Sequence, residues 1–138
     1  MSTLFQLVRG IPDFGGRVYL AGTDDSSALA TPYAIVDEIA GGPISPYRGT
    51  AAVSAVYPEV TIYCKTASGQ VPAQAYAQVN ALIDVILALM PDLTSDSAGR
   101  PYIAGSVQRA NEPRPLADTK VPGQRFGTVK FSASVYRN

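Results

Sequence analysis

The residue types that most often carry catalysis are scarce in this chain. It contains no histidine and a single cysteine, Cys64. Without histidine, neither a serine–histidine–aspartate triad nor a histidine metal site can form, and a lone cysteine without histidine is a poor candidate nucleophile. Cys64 lies inside an apolar, strand-like segment, so we expect it to be a small core residue.

The carboxylates are not arranged for acid–base work. Asp37 and Glu38 are adjacent in a predicted strand, so their side chains point to opposite faces and cannot easily act together. Asp24 and Asp25 stand beside two serines, a pattern typical of a turn, and they lack further ligands for a cation. The glycine pairs of the chain are isolated and match no phosphate-binding loop. The sequence therefore predicts no enzyme, no cofactor and no metal.

The charges are balanced in number but not in position. Residues 1–99 carry four basic and nine acidic side chains, whereas residues 100–138 carry seven basic and two acidic ones. Such a division is typical of chains that associate head to tail. A basic loop near nucleic acid and an ordinary solvated surface are the alternatives.

Length and composition indicate one domain covering residues 1–138. Hydrophobic residues make up 46% of the chain and charged residues only 16%, which is apolar and charge-poor for a lone monomer. Part of the surface is therefore expected to be buried against partners, although a small alanine-rich globular protein would have the same composition. No run of about 18 apolar residues predicts a membrane span. The start lacks a basic signal region, so we expect a cytosolic origin.

Hydrophobic periodicity predicts an α+β fold. A mostly antiparallel sheet of about four to five strands is expected to pack against one long helix plus a short N-terminal helix. The predicted helices are Ser2–Arg9, capped by Ser2 or Thr3, and Ala73–Met90. The predicted strands are Arg17–Ala21, Tyr33–Ile39, Tyr57–Thr66, Tyr102–Arg109 and Phe126–Tyr136.

Two irregular segments are candidate interaction arms. The segment 42–52 carries Tyr47 and Arg48, and the proline-containing connection 111–124 carries Arg114 and Lys120, with Arg125 directly after it. A connection as long as 111–124 is usually functional or disordered in a compact domain. We expect the last two strands to form a hairpin with an extended arm, and these five side chains to lie at an interface.

The order of three short motifs resembles a known family. Arg17-Val18-Tyr19 is followed by Pro32-Tyr33-Ala34-Ile35-Val36 and then by the strand-like segment 57–66, after which comes an alanine-rich helix. This order, over nearly the whole chain, is similar to that of the tail-terminator or tail-completion proteins of long-tailed bacteriophages. No catalytic signature is part of the resemblance.

The resemblance implies a structural role. Members of this family form a ring, expected to be a hexamer, at the head-proximal end of the tail tube. The ring ends tube polymerisation and offers a joining surface to the neck or connector. The implied partners are copies of the chain itself, the tail tube protein, the neck or connector protein, and genomic DNA passing through the lumen without sequence-specific binding. The implied location is the tail–neck region of the virion, and the host cytoplasm during assembly.

Two other functions fit the same sequence. The first is another neck component of similar fold, such as a head-closure or head–tail joining protein. The second is a monomeric domain that binds a small molecule or nucleic acid, for which a ligand pocket would be expected.

Overall fold

The structure is built around a mixed β-sheet. It is a computed structural model that describes residues 2–21, 32–43, 53–65, 72–119 and 123–136. Two 3₁₀ turns, Pro12–Phe14 and Met90–Asp92, follow the two helices. The α+β class predicted from the sequence is confirmed. In chain order the elements are helix α1 (Leu4–Arg9), strands β1 (Val18–Leu20), β2 (Tyr33–Pro43) and β3 (Val53–Lys65), helix α2 (Pro72–Ala88), and strands β4 (Gln108–Arg109), β5 (Leu116–Ala117) and β6 (Gln124–Tyr136).

The sheet is mostly antiparallel, as expected. Its strand order is β1-β2-β3-β6-β4, and β5 also pairs with β6. Only β1 and β2 run parallel within the described sheet, while the other pairs are antiparallel. The described sheet has six strands, where four to five were expected. Since β4 and β5 are two residues long, neither is long enough to show an alternating pattern.

Helix α2 covers one face of the sheet and closes the core. Every second residue of β3 and β6 is buried there, as the alternation of apolar residues predicts. Cys64 is among them, which confirms its place in the core. The buried apolar residues of this layer are Val60, Ile62, Cys64, Val79, Leu82, Ile83, Ile86, Val129, Phe131, Ala133 and Val135.

The apolar character of α2 is also seen in its hydropathy. The 20-residue segment Ala73–Asp92 contains an 18-residue window with a mean hydropathy of 1.4, so it is long and apolar enough by these measures alone to cross a membrane. The core helix of a globular protein meets the same criterion. Here α2 places a buried stripe on β3 and β6, and 28% of its most apolar window is buried.

Helix α1 begins with a capping box. The Gln6 backbone N–H donates to Thr3 Oγ1 at 3.2 Å, and the Gln6 side chain accepts from the Thr3 backbone N–H at 3.0 Å. These two bonds satisfy backbone donors that a helix start leaves free. Ser2 is tied to the turn after α2, because its N–H donates to Thr94 Oγ1 and its carbonyl accepts from the Thr94 N–H. The N-terminal helix is thereby fixed against the sheet.

Three local predictions are wrong. The strand β2 does not end before Gly41-Gly42-Pro43 but continues to Pro43, with a register shift after Ala40. The segment 102–109 is not a continuous strand, because only Gln108–Arg109 and an isolated bridge between Tyr102 and Val135 pair with β6. The helical spacing of Tyr76, Val79 and Ile83 predicts that all three lie on one buried stripe of α2, but Tyr76 lies outside it, since 48% of its surface is exposed.

The predicted closing hairpin is present in a broken form. Both β4 and β5 run antiparallel to β6, and the chain between them follows the same edge. The predicted loop 22–31, most of the predicted arm 42–52, and Lys120 lie outside the described residues.

Candidate interaction surfaces

The described candidate interface residues, Arg114 and Arg125, lie near the same side of the sheet, Arg114 between the edge strands and Arg125 on the inner strand β6. Arg114 is exposed and lies between β4 and β5. Arg125 lies on β6 opposite Ala117 and is half-buried, and its Nη1 donates to the Gln124 carbonyl at 3.2 Å. No hydrogen bond joins the two arginine side chains. Tyr47, Arg48 and Lys120 lie outside the described residues.

Residues 109–116, which we call the strap, pair with β6 at both ends and are held between them by Asn111. The Asn111 side chain donates from Nδ2 to the Thr128 carbonyl at 2.8 Å and accepts the Lys130 N–H on Oδ1 at 2.9 Å. An amide side chain thus makes the donor–acceptor pair that a strand backbone would make. Sequence reasoning missed Asn111, because an asparagine in a proline-containing connection reads as a turn residue.

The strap presents a rigid Pro113-Arg114-Pro115 sequence. Proline fixes its own φ angle, and each proline restricts the residue before it to extended conformations. Pro115 is buried, whereas Arg114 is exposed and Leu116 keeps 44% of its surface exposed. Residues two apart in an extended chain point the same way. Arg114 and Leu116 therefore form a paired cationic and apolar projection.

Only one ion pair involves the strap among the described residues. Arg109 Nη2 contacts Glu112 Oε1 at 2.9 Å, and both side chains are exposed, so the pair contributes little to stability. The Arg114 guanidinium makes no hydrogen bond or ion pair with the described residues. Its charge remains available to a partner.

A second surface, which we call the groove, lies at the opposite edge of the sheet between α1 and β2. It is a pocket of about 270 Å³ with a mainly apolar lining and two carboxylates at its rim. Leu20, at the end of β1, is 60% exposed there. The Arg9 guanidinium lies 5.9 Å from the centre of the Phe5 ring, within cation–π range. The lining residues are Thr3, Leu4, Phe5, Leu20, Ala21, Val36, Asp37, Glu38, Pro58 and Ser97.

Asp37 and Glu38 both line the groove, although their adjacent positions in a strand predict opposite faces, and separate hydrogen bonds fix their carboxylates. Glu38 accepts from the Ser97 N–H at 3.0 Å and from Ser97 Oγ at 2.8 Å. Asp37 Oδ1 accepts the Glu38 N–H at 2.8 Å. Neither carboxylate forms an ion pair with a lysine or arginine of the described residues. The groove therefore has negative charge at its rim that its own described cations do not neutralise.

The turn that carries Ser97 is rigid and partly buried. The fully buried Asp96 accepts from the N–H groups of Ala98 and Arg100 and from Arg100 Nε, at 3.1, 2.7 and 2.7 Å. Tyr102 is buried next to this turn. Burial raises the pKa of the Tyr102 hydroxyl, and the carboxylates of Glu38 and Asp96 raise it further. The hydrogen bonds of Asp96 hold the turn that places Ser97 at the groove rim. The raised pKa keeps the Tyr102 hydroxyl protonated at neutral pH.

The face of the sheet away from α2 carries a row of aromatic rings across four strands. The Tyr33 and Tyr63 rings stack at 4.7 Å, with Tyr19 at 6.2 Å from Tyr33 and Phe126 at 6.0 Å from Tyr63. Such cross-strand aromatic pairs stabilise a sheet. Burial raises the pKa of Tyr63, with smaller contributions from Tyr33 and Asp118. The row fixes the register of the strands between the groove and the strap.

Comparisons with known proteins give little about function. No protein-family model matches the chain, and no curated protein does. A solved structure resembles it with a TM-score of 0.48 and 15% sequence identity, over 88% of this chain and 79% of the other. A likeness at this level carries no argument about what the protein does.

Proposed function

We propose that this chain is a structural protein of a bacteriophage virion that closes the head-proximal end of the tail tube as a ring. The observation that carries the proposal is the order of its motifs along the described elements. Tyr19 lies on β1, Tyr33 begins β2, and the segment 57–65 forms most of β3, ahead of the long helix α2. This is the order in which the tail-terminator family arranges its helix, strands and second helix.

The mechanism would be geometric and not chemical. A helical tube grows because each ring exposes an edge for the next one, and a terminator matches that edge on one face only. A ring of identical chains requires a heterologous contact that closes on itself. The division of charge between residues 1–99 and 100–138 supports such a contact.

No catalytic role is included in the proposal. Among the described residues, no three histidine, cysteine, aspartate or glutamate side chains are grouped to hold a metal ion. Burial, with a smaller contribution from Asp13, raises the pKa of the Cys64 thiol to about 12, so the thiolate needed for nucleophilic attack is rare at neutral pH. The partners proposed are further copies in a hexameric ring, the tail tube protein, the neck or connector protein, and DNA passing through the lumen.

An early stop codon in the gene, placed in the phage that encodes it, tests this function. Lysates of non-permissive cells would be imaged by negative-stain electron microscopy. We expect filled heads beside unattached tails of abnormal length, because tube growth would lack its stop. A suppressor host that restores the full chain is the matched control and is expected to restore normal particles.

Two outcomes would contradict the proposal. Unattached tails of normal length would assign the chain to head closure or head–tail joining in the neck. Normal, infectious particles would exclude any essential role in assembly and would favour a ligand-binding domain.

A further inference from the structure

We propose that Arg114 and Leu116 of the strap insert into the groove of a second copy of this chain. This inference rests on the proposed function, since it names the two surfaces by which copies would join in the ring. The two surfaces lie at opposite edges of one sheet. The groove lies beside β1 and β2, and the strap lies beside β6.

The size and lining of the groove fit a protein side chain. At about 270 Å³ it lies below the range of about 300–1,000 Å³ that is usual for small-molecule sites. Its lining is mostly apolar, with Leu4, Phe5 and Leu20 contributing from α1 and β1. An aliphatic side chain with a cationic neighbour would bury its apolar part there and place its charge at the rim.

The charge at the rim selects the occupant. Asp37 and Glu38 lie at the groove, with the Glu38 carboxylate oriented by two hydrogen bonds from Ser97. The Glu38 oxygens both accept from Ser97 and keep further lone pairs, which can accept a charge-assisted hydrogen bond from an arginine. The strap offers Arg114, whose guanidinium has no partner among the described residues, beside the exposed Leu116.

The strap also suits insertion because it is already rigid. Two prolines limit its backbone, Asn111 ties it to β6, and Leu116 pairs with Phe126 in the sheet. A preformed segment loses little conformational entropy on docking, so more of the contact free energy remains as affinity. The groove is likewise preformed by the capped helix α1.

The position of the two surfaces determines the type of assembly. Four strand spacings separate β1 from β4, which is roughly 19 Å at about 4.8 Å per spacing. A copy whose strap is docked therefore keeps its own groove open to another copy. A one-way contact of this kind is heterologous and generates a closed ring or an open filament, whereas a reciprocal exchange of the two straps would give a two-fold dimer.

Two substitutions with a matched control test this contact. Leu116→Asp alters the strap and Leu20→Asp alters the groove, both at exposed positions, and circular dichroism of each variant first establishes that it is folded. Val85→Asp on the outer face of α2 is the control, because Val85 and Leu116 are 42% and 44% exposed. Association of each purified chain would be measured by sedimentation velocity and native mass spectrometry over a concentration series at low salt.

We expect the unaltered chain and Val85→Asp to associate alike. Leu116→Asp and Leu20→Asp are each expected to weaken association at least about tenfold, the effect of losing a central apolar contact. Mixing these two variants is expected to give dimers that do not grow. In such a dimer the intact groove of Leu116→Asp holds the intact strap of Leu20→Asp. The two surfaces left for further growth are the altered strap and the altered groove. Arg114→Glu is expected to weaken association most at low salt.

Three results would overturn the inference. One is an unaltered chain that stays monomeric at every concentration. A second is that Leu116→Asp and Leu20→Asp associate as strongly as the control Val85→Asp. A third is that the mixture of Leu116→Asp and Leu20→Asp forms no dimer. Each leaves the proposed function to be decided separately by the tail lengths in the stop-codon lysates.

Discussion

Cys64 links the packing of a single residue to the pH dependence of the whole fold. Its thiol is fully buried on the helix side of β3, and burial raises its pKa from 9.0 to about 12. The folded chain therefore holds the thiol proton more tightly than the unfolded chain. The resulting stabilisation is complete below about pH 9 and is lost as the pH rises towards 12. Tyr63 and Tyr102 act with the same sign, because burial raises the pKa of each.

We expect the free energy of unfolding to fall between pH 9 and pH 11, and to fall less steeply in Cys64→Ala. The variant removes one group that must ionise on unfolding, although the small cavity lowers its stability at every pH. Urea titrations followed by circular dichroism at intervals across this range give the slope. Val129→Ala, which shortens a buried side chain that does not titrate, is the control and should retain the slope of the unaltered chain. Equal slopes for Cys64→Ala and the unaltered chain would exclude this role of the thiol.

At the scale of the secondary-structure element, the contact between α2 and β6 depends on one glycine, Gly127. A Cβ atom at Gly127 would lie 2.8 Å from Ile83 Cδ1 and 3.0 Å from Val79 Cγ1. These distances are too short for ordinary contact, so the absence of a side chain lets the helix approach the strand. The opposite strand contributes Ile62 at the same register. Gly127 thus sets how closely the helix covers the sheet.

Gly127→Ala is expected to lower the free energy of unfolding by about 1–3 kcal/mol, the usual cost of overpacking a core. Ile83→Val removes the methyl group that the new Cβ would meet first. We therefore expect Ile83→Val to be less destabilising in the Gly127→Ala background than in the unaltered chain, and chemical denaturation of all four chains gives this coupling. Strictly additive effects would show that the helix shifts as a whole and that the two side chains do not meet.

The elements that the sequence predicts well are those long enough to repeat a pattern. Two patterns of this kind agree with the structure, and each extends over several residues. One is the helical stripe of α2, and the other is the alternation of buried residues in β6, at Val129, Phe131, Ala133 and Val135. The two-residue strands β4 and β5 have no period to detect. Tyr76 lies at helical spacing, but the buried face of the first turns is formed by Ala75 and Val79, and Tyr76 remains 48% exposed beside it.

The candidate surfaces were predictable only in part. Arg114 stands out in the sequence as a cation between two prolines. The groove does not, because Leu20, Phe5 and Glu38 come from three separate elements and meet only through the pairing of β1 with β2. Pairing register depends on long-range contacts such as the Tyr33–Tyr63 stack, and a single sequence does not specify them.

At the scale of the whole molecule, some of the charge is separated in space, although Asp96 and Arg100 form an ion pair and Glu59 lies opposite Lys130. The groove with its two rim carboxylates lies at one edge of the sheet, and the strap with Arg114 lies at the other. A chain with zero net charge and separated surfaces of opposite sign attracts its own copies more readily than a uniformly charged partner. This arrangement favours association with like chains over tight binding to nucleic acid.

Duplex DNA is therefore expected to bind only weakly. Among the described residues, Arg100 is paired with Asp96 and Arg109 with Glu112, so these two cations are already engaged by carboxylates. Fluorescence anisotropy with a labelled duplex of about 20 base pairs, in salt from about 20 to 200 mM, should give a dissociation constant no tighter than about 1 μM near physiological salt. Such weak contact is what a lumen through which DNA slides requires.

The variant Glu112→Lys provides a calibrated comparison for the DNA measurement. The substitution releases Arg109 from its ion pair and adds one cation to the strap. The slope of the logarithm of the binding constant against the logarithm of the salt concentration should therefore become more negative by about 1–2. Nanomolar retention of duplex DNA by the unaltered chain near 150 mM salt would contradict the expectation. In that case the basic residues after position 99 would serve as a nucleic-acid surface, and the head-to-tail contact would lose its electrostatic support.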